Sequence, residues 1–316
     1  MRVRFTLVSL TALLPLAFGC GRGHETARQR AQRAREQDQK KPIPVRVAAQ
    51  AQNQRLRLRL ERFLVEQHPP FHPTGLNLPL PEALARLAAA KLDLVLVTGQ
   101  PSPALRRALE RLRPRARVLA GGAEPIALLT QVTNRSGRLD EAALTRILQG
   151  HVTRWKDVQG DALPLVAYVA HADIARQLRH RFLHDRPLSP VIRRVADVAT
   201  ALESARRTPG SLAFVPLSRW PTPSRSPKGL KLVALAKDRG DVGAMATDGQ
   251  AIAQGRYRLW LPVVLFVRRG RDRPAKQLDH VLSGLKHTGL AAALGLPERP
   301  GPFPAAWLHG WRLDAR

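Results

Sequence analysis

Two histidines, His180 and His184, stand four residues apart on a predicted helix, which is the spacing of two metal ligands on one helical face. Arg176, Arg179 and Arg181 share that helix, so we favour the alternative interpretation of a charged, solvent-exposed face. The sequence contains no GxSxG, P-loop, dinucleotide-binding or HExxH motif. It therefore supports neither a metal site nor an enzyme active site, and it indicates no cofactor.

Cys20 is the only cysteine, which excludes an intramolecular disulfide and a cysteine-based metal cluster. Two arginines in the first four residues precede an apolar run over 5–18, which is short for a membrane span and typical of a secretory signal. The run ends in Ala17-Phe18-Gly19-Cys20, which resembles a bacterial lipobox, where the thiol receives diacylglycerol. A plain secretory signal cut nearby is the alternative. We expect residues 1–20 to be a lipoprotein signal peptide that anchors the chain by Cys20 on the periplasmic side of the cell envelope.

Residues 21–42 follow as a polar, basic segment. The part over 21–41 has seven basic and three acidic residues and no aliphatic side chain larger than alanine. Because it cannot bury apolar surface, we predict a disordered tether. The net charge of the whole chain is +28, so the folded remainder is basic as well. That charge favours polyanions, but we do not expect a nucleic-acid partner, since the five tryptophans are not interleaved with basic residues on one element.

From Pro44 onward, strand and helix patterns alternate. Val45 to Ala49 reads as a strand, the helix that follows has apolar residues spaced as Leu56, Leu60 and Leu64, and Leu92 to Val97 reads as a buried strand. Further helices are predicted over 81–91, 102–112, 140–149, 173–184, 197–207 and 274–286, and further strands over 116–119, 126–129, 164–169, 212–215, 230–235 and 257–267. This alternation predicts an α/β fold with mostly parallel sheets.

Four sequence blocks share the order and spacing of one known family. They are the first strand and helix over 45–64, LTRILQGHVTRWKDV over 144–158, TPGSLAFVPLS over 208–218 and IAQGRYRL over 252–259. Together they resemble the phosphate-type substrate-binding proteins of ABC importers, over about residues 43–296. The resemblance implies a small molecule or ion as ligand and an ABC permease as partner.

That family has the type II fold of periplasmic binding proteins, an α/β fold of two lobes joined by two hinge crossover strands. The resemblance implies a first lobe of residues 43–127 with 260–316 and a second lobe of residues 128–259. Two lobes joined in this way can close as rigid bodies, and a ligand that touches both lobes stabilises the closed state. The ligand is therefore expected in the cleft between the lobes.

The resemblance also indicates which loops line the cleft. Gln50 and Ala51 follow the first strand, Thr98 and Gly99 follow the next buried strand, and Asp173 begins a helix of the second lobe. These five residues are the candidate ligand contacts. Each loop departs from the family pattern, and the second-lobe loop departs most. There, Ala170 stands at the place of the family's arginine, and Asp173-Ile174-Ala175 replaces its Ser-Gly-Thr. Glu124, before the crossover strand, is a further candidate for a hydrogen bond at the edge of the cleft.

Asp173 decides what the resemblance implies for the ligand. A carboxylate at a helix start can cap the helix, and this structural role is the interpretation we favour for the side chain itself. The same carboxylate would repel an anion that approaches the positive end of the helix dipole. We therefore expect a solute-binding lipoprotein that does not bind phosphate in the family's manner. The alternative is a cell-envelope interaction protein that kept the fold and binds acidic polymers or a protein partner.

Overall fold

The computed structural model describes residues 26, 28–33, 41–67, 70–99, 102–112, 114–158, 160–219, 228–285 and 287–298. The chain divides into two units, Met1–Lys41 and Pro42–Arg316. In the first unit, residues 28–33 are helical, and the Thr26 hydroxyl and the Gln29 side chain exchange hydrogen bonds with each other's backbone N–H, as in a capping box. The predicted signal peptide and Cys20 lie outside the described residues, as does most of the predicted tether.

The second unit is built of alternating strands and helices, as predicted. Its strands are β1 (Ile43–Ala49), β2 (Phe71–Asn77), β3 (Leu94–Thr98), β4 (Ala116–Gln131), β5 (Arg138–Asp140), β6 (Val166–Ala170), β7 (Ile192–Val195), β8 (Ser211–Pro216), β9 (Leu230–Leu232), β10 (Ala234–Ala236) and β11 (Trp260–Arg268). Its helices are α1 (Gln54–Val65), α2 (Leu80–Ala88), α3 (Pro103–Leu112), α4 (Glu141–Gln149), α5 (Ala172–Phe182), α6 (Val198–Arg207), α7 (Gly249–Ala253), α8 (Arg273–Gly284) and α9 (His287–Ala293). No helix in the described part of the chain is long and apolar enough to cross a membrane.

The main sheet has the strand order β2-β1-β3-β11-β4-β8-β6-β7, and β9 also pairs with β4. We refer to the part formed by β2, β1, β3 and β11 as the first lobe and the part formed by β8, β6 and β7 as the second lobe. Strand β4 belongs to both, because it pairs with β11 near its start and with β8 near its end. The predicted α/β class is therefore confirmed. The sheet is mixed rather than mostly parallel, since β11 is antiparallel to β3 and β4 is antiparallel to β8.

Helices cover both faces of the first-lobe sheet. Successive side chains of a strand point to opposite faces, so Leu94 and Leu96 pack on one side and Val95 and Val97 on the other. Helices α1, α8 and α9 cover the first face, and α2 and α3 cover the second. A separate cluster of buried apolar residues, which includes Trp155 and Phe214, forms the core of the second lobe. Helices on both faces of the sheet explain why the predicted strands have apolar residues at nearly every position.

Several predicted boundaries are wrong, and each has a local cause. The strands predicted over 116–119 and 126–129 are one strand, β4, and the strand predicted over 230–235 is divided into β9 and β10. Strand β11 begins at Trp260 rather than at 257. Strand β2 was not predicted, because its sequence contains Pro73 and Gly75. Both residues are tolerated there because β2 is an edge strand.

A buried ion-pair network holds the first-lobe strands together. Asp93, directly before β3, is 1% exposed and accepts hydrogen bonds from the Arg46 backbone N–H at 2.9 Å and from Arg46 Nε at 3.0 Å. Its other oxygen accepts from Arg268 Nε at 3.0 Å, and Arg268 also pairs with Asp272 at 2.7 Å. The carboxylate of Asp93 therefore joins β1, β3 and β11 at one point.

Candidate functional site

The two lobes are joined by two chain segments that lie side by side. One is β4, and the other is the stretch that leads into β11, where Trp260 is the partner of Pro125. The Ile126 N–H donates to the Leu259 carbonyl at 2.9 Å, and the Tyr257 hydroxyl donates to the Ile126 carbonyl. These two segments are the predicted hinge crossovers.

A small cavity lies between the lobes, beside β4. Its polar lining residues are Gln52, Asn53 and Thr98 from the first lobe, Glu124 from β4, and His171, Asp173 and Ser218 from the second lobe. The volume of the cavity is about 10 Å³, which is room for about one water molecule. The cleft is therefore closed in this structure, and side chains of both lobes meet in it.

The first-lobe wall is made by the turn after β1 and by the end of β3. The chain leaves β1 at Gln50 and forms a 3-10 turn over Ala51–Asn53, in which the Asn53 N–H donates to the Gln50 carbonyl at 2.8 Å. Asn53 and Thr98 are each 5% exposed, and the Thr98 hydroxyl donates to Asn53 Oδ1 at 3.0 Å. The Asn53 Nδ2 atom is buried and has no hydrogen-bond partner among the described residues.

The second-lobe wall is made by the end of β6 and the start of α5. His171 has a φ of +74°, a left-handed conformation that is uncommon for a residue with a side chain. It occupies the N-cap position of α5 but makes no side-chain capping bond. The expectation that Asp173 caps this helix is therefore wrong, because Asp173 lies in the first turn. Its carboxylate pairs with Arg176 at 2.9 Å.

Burial governs the ionisation of both of these second-lobe residues. It raises the pKa of the Asp173 carboxyl above its ordinary value, although the positive charge of Arg176 opposes the rise. Burial also lowers the pKa of His171, although the neighbouring carboxylate of Asp173 opposes the fall. The shift in its pKa favours the neutral form of His171.

Gly99 allows the two lobes to approach closely. Its φ of +80° favours glycine, and a Cβ atom at this position would lie 2.9 Å from the Cβ of Asp173. A side chain at position 99 would thus both strain the backbone and push Asp173 away. The loop after β3 and the first turn of α5 are in van der Waals contact because this residue is glycine.

Glu124 is the most deeply buried acid of the cavity, at 1% exposed. Its Oε1 atom accepts a hydrogen bond from the Ser218 N–H at 2.8 Å, whereas Oε2 is buried without a partner among the described residues. Burial raises the pKa of this carboxyl to about 7, against the opposing effects of the Ser218 hydrogen bond and of the charges of Arg59 and Arg219. Near neutral pH, Glu124 is therefore present in both protonation states.

Hydrogen bonds at the edge of the cavity hold the lobes together directly. The Arg219 guanidinium reaches from the second lobe and donates to the Gln52 carbonyl at 2.9 Å and to the Ala51 carbonyl at 2.6 Å. In the opposite direction, Arg55 donates to the Ser218 carbonyl at 2.9 Å. The closed form therefore has its own bonds between the lobes.

Comparisons with known proteins agree with this architecture. Residues 50–283 match a family model described as the PBP superfamily domain. The chain belongs to the PBP superfamily. A search among curated proteins finds no match. The resemblance to phosphate-type substrate-binding proteins, inferred from the four sequence blocks, is confirmed by this match together with the solved structures of similar fold.

Three such structures come from bacteria. A protein from Clostridium perfringens, determined with bound phosphate and assigned as a phosphate ABC transporter substrate-binding protein, has a TM-score of 0.59 and 12% identity over 81% of this chain and 99% of its own. An ABC-type phosphate transport receptor from Vibrio cholerae has a TM-score of 0.57 and 15% identity over 82% and 100%. PstS from Borrelia burgdorferi has a TM-score of 0.53 and 12% identity over 81% and 99%. At these identities the structures show a shared fold.

Of the five candidate ligand contacts, the PBP fold brings three together. Thr98 and Asp173 line the cavity, and Gly99 contacts Asp173 at its edge. Gln50 and Ala51 are not among the described lining residues, and the Ala51 carbonyl instead bonds to Arg219. Asn53, His171 and Ser218 also line the cavity but were not among the candidates. Their contribution depends on burial and on contacts between lobes, for which the sequence gives no direct signal.

The prediction that His180 and His184 share one helix is wrong, because α5 ends at Phe182 and His184 follows it with a φ of +50°. Neither histidine lines the cavity. The Nδ1 atom of His180 lies 3.3 Å from the Asp185 carboxylate, at the surface. Among the described residues, no group of three or more histidine, cysteine or acidic side chains is placed to hold a metal ion.

Proposed function

We propose that this chain is an extracytoplasmic solute-binding lipoprotein that resembles the phosphate-binding component of ABC importers but has a diverged ligand site. Residues 43–127 with 260–316 would form one lobe and residues 128–259 the other. A small molecule or ion would bind between them, and the closed form would then engage an ABC permease. Membership of the PBP superfamily and the phosphate-binding neighbours support this proposal. A binding role, rather than catalysis, is what this superfamily suggests.

The composition of the cavity wall is the observation that argues against phosphate. Glu124 and Asp173 contribute two carboxyl groups, and the described lining residues include no arginine or lysine. A phosphate without its water shell needs cationic or N–H donors around it. Two like charges about 4 Å apart repel by about 4 kcal/mol at an effective dielectric constant of about 20. The site as built therefore favours ligands other than phosphate.

Calorimetric titration of residues 21–316 with phosphate tests this proposal. We expect no phosphate binding in the micromolar range. Asp173→Ser removes the carboxylate from the first turn of α5 and is expected to strengthen phosphate binding about tenfold or more, because the repulsion is lost. Asp185→Ser, at an exposed position of the same lobe, is the matched control and should change nothing. Micromolar phosphate binding by the unchanged protein would show that the site has not diverged in this way.

The lipid anchor is tested separately, through Cys20. Cys20→Ser removes the acceptor thiol, and we expect the protein to move from the membrane fraction to the soluble fraction of bacterial cells. Two acyl chains of a diacylglycerol give stable membrane binding, and the basic residues of 21–42 would reinforce it near an anionic surface. If the Cys20→Ser protein stays with the membrane to the same extent, the lipoprotein assignment is wrong.

A further inference from the structure

Two residues that line the cavity between the lobes each have a buried polar atom without a partner. The Glu124 Oε2 atom is an acceptor when the carboxyl is ionised, the Asn53 Nδ2 atom is a donor, and neither has a hydrogen-bond partner among the described residues. Both side chains are more than nine-tenths buried and both line the same cavity. Buried polar groups in folded proteins are nearly always hydrogen-bonded, so such a pair indicates a position where an additional polar group binds.

The orientation of each side chain is fixed by its other polar atom. The Thr98 hydroxyl donates to Asn53 Oδ1 at 3.0 Å, which leaves the Asn53 amide nitrogen for a further partner. The Ser218 N–H donates to Glu124 Oε1 at 2.8 Å, which leaves Oε2. Thr98 and Asn53 belong to the first lobe and Ser218 to the second. A group bound at this position would contact Asn53 of the first-lobe wall and Glu124 of β4, whose other oxygen is bonded to Ser218 of the second lobe.

The chemistry of the two atoms restricts what can bind. A group that serves both must accept a hydrogen bond from Asn53 and donate one to Glu124. An alcohol hydroxyl does both, and so does the P–OH group of hydrogen phosphate, whereas an ammonium ion only donates and sulfate only accepts. The charges in the cavity wall decide between these two: the carboxyl groups of Glu124 and Asp173 disfavour an anion, which leaves the neutral hydroxyl.

We infer that the cleft binds a neutral, hydroxyl-bearing solute of the polyol or sugar class, with one hydroxyl held between Glu124 and Asn53. This inference rests on the proposed solute-binding function and names its ligand class. An ordered water molecule has the same hydrogen-bonding chemistry and is the other occupant to be distinguished. The cavity of about 10 Å³ accepts one hydroxyl, so the rest of a solute enters only when the lobes separate.

Lobe separation has a defined structural cost in this chain. It breaks the hydrogen bonds from Arg219 to the Ala51 and Gln52 carbonyls and the one from Arg55 to the Ser218 carbonyl. A solute held by Asn53 and Glu124 would bind beside these contacts, and Glu124 links it to the second lobe through the Ser218 hydrogen bond. Binding is then coupled to the spacing of the lobes, as expected when a ligand favours one of two conformations.

The test is calorimetric titration of residues 21–316 with glycerol, erythritol, ribitol, myo-inositol and glucose, with ammonium chloride and sodium sulfate as charged comparators. At least one neutral solute should bind, and the charged ones should not. Asn53→Leu should weaken that binding by tenfold or more, and Glu124→Gln should weaken it by a smaller factor, because its amide offers a donor in place of the carboxylate acceptor. Glu124→Gln keeps the size and the Ser218 hydrogen bond, so it remains informative if Asn53→Leu fails to fold. Gln177→Leu is the matched control, because Gln177 Oε1 is also buried and unpartnered among the described residues but lies outside the cavity wall.

Two results would overturn the inference. One is an absence of heat with every neutral solute, together with a crystal structure that shows ordered water between Glu124 and Asn53. The other is neutral-solute binding of equal strength in the wild-type, Asn53→Leu and Glu124→Gln proteins. Micromolar phosphate binding is a different failure, since it would contradict the proposed divergence of the site, and it is measured in a separate titration.

Discussion

Replacing Asp93 by asparagine is expected to lower the free energy of unfolding by about 3–5 kcal/mol, the usual cost of removing one partner from a buried ion pair. The carboxylate is 1% exposed and accepts hydrogen bonds from Arg46 and Arg268. Asparagine has nearly the same shape but no charge, and it offers one acceptor oxygen in place of two. Arg268, itself 7% exposed, would then keep a buried charge with only Asp272 to compensate it.

Urea unfolding followed by circular dichroism measures this loss. Asp272→Asn is the matched control, since Asp272 also pairs with Arg268 but its side chain is 52% exposed. Asparagine can still accept the Ala275 N–H bond that caps α8, so the control is expected to lose less than about 1 kcal/mol. Equal losses in the two variants would mean that the contribution of Asp93 to the free energy of unfolding does not depend on its burial.

The first lobe was predicted well where local sequence dictates structure. The apolar run at Leu92 to Val97 required burial on both faces, and β3 has that burial. The apolar spacing of Leu56, Leu60 and Leu64 predicted α1, and those residues are fully buried in the first-lobe core. In both segments the spacing of apolar residues was enough to predict the element. It indicates which faces are buried, namely both faces of β3 and one face of α1.

Strand β4 could not be predicted as one element, because its continuity depends on long-range pairing. Gly121 and Gly122 interrupt the apolar pattern, and Gly122 has a φ of +105°. β4 nevertheless pairs with β11 on both sides of these glycines and is therefore one strand. The register of the pairing shifts between Val263 and Val264. The glycines that weaken the local signal lie at this register shift, in the part of β4 that pairs with β11. Sequence reasoning therefore found two strands at a place where the fold has one.

The cleft residues were predictable only in part. Thr98, Gly99 and Asp173 follow from the resemblance, because loops at equivalent positions line the cleft of that family. The unpartnered atoms of Asn53 and Glu124 follow from nothing local. Whether each atom has a partner depends on side chains that come from the opposite wall when the lobes meet. The departures from the family pattern can be read from the sequence, whereas the missing partners of these two atoms can be read only from the assembled cavity.

Between about pH 4.5 and pH 9, the wild-type protein is expected to lose on the order of 3 kcal/mol of unfolding free energy relative to a Glu124→Gln variant. Burial raises the pKa of Glu124 from an ordinary value of 4.5 to about 7, so the folded chain binds this proton more tightly than the unfolded chain does. The associated stability is fully present below pH 4.5 and is lost as the pH rises through 7. Glutamine has no proton to lose, so that variant lacks this dependence.

Urea unfolding of both proteins across this range, in buffers of equal ionic strength, gives the difference directly. Titrations shared by the two proteins, among them those of His171 and Asp173, cancel in it to first order. Glutamine also keeps an oxygen to accept the Ser218 N–H, so the variant should be the more stable protein at pH 9. Parallel stability profiles would mean that Glu124 ionises as freely in the folded chain as in the unfolded one. The carboxyl would then be hydrated in the closed cleft, and the unpartnered Oε2 atom would have a water partner.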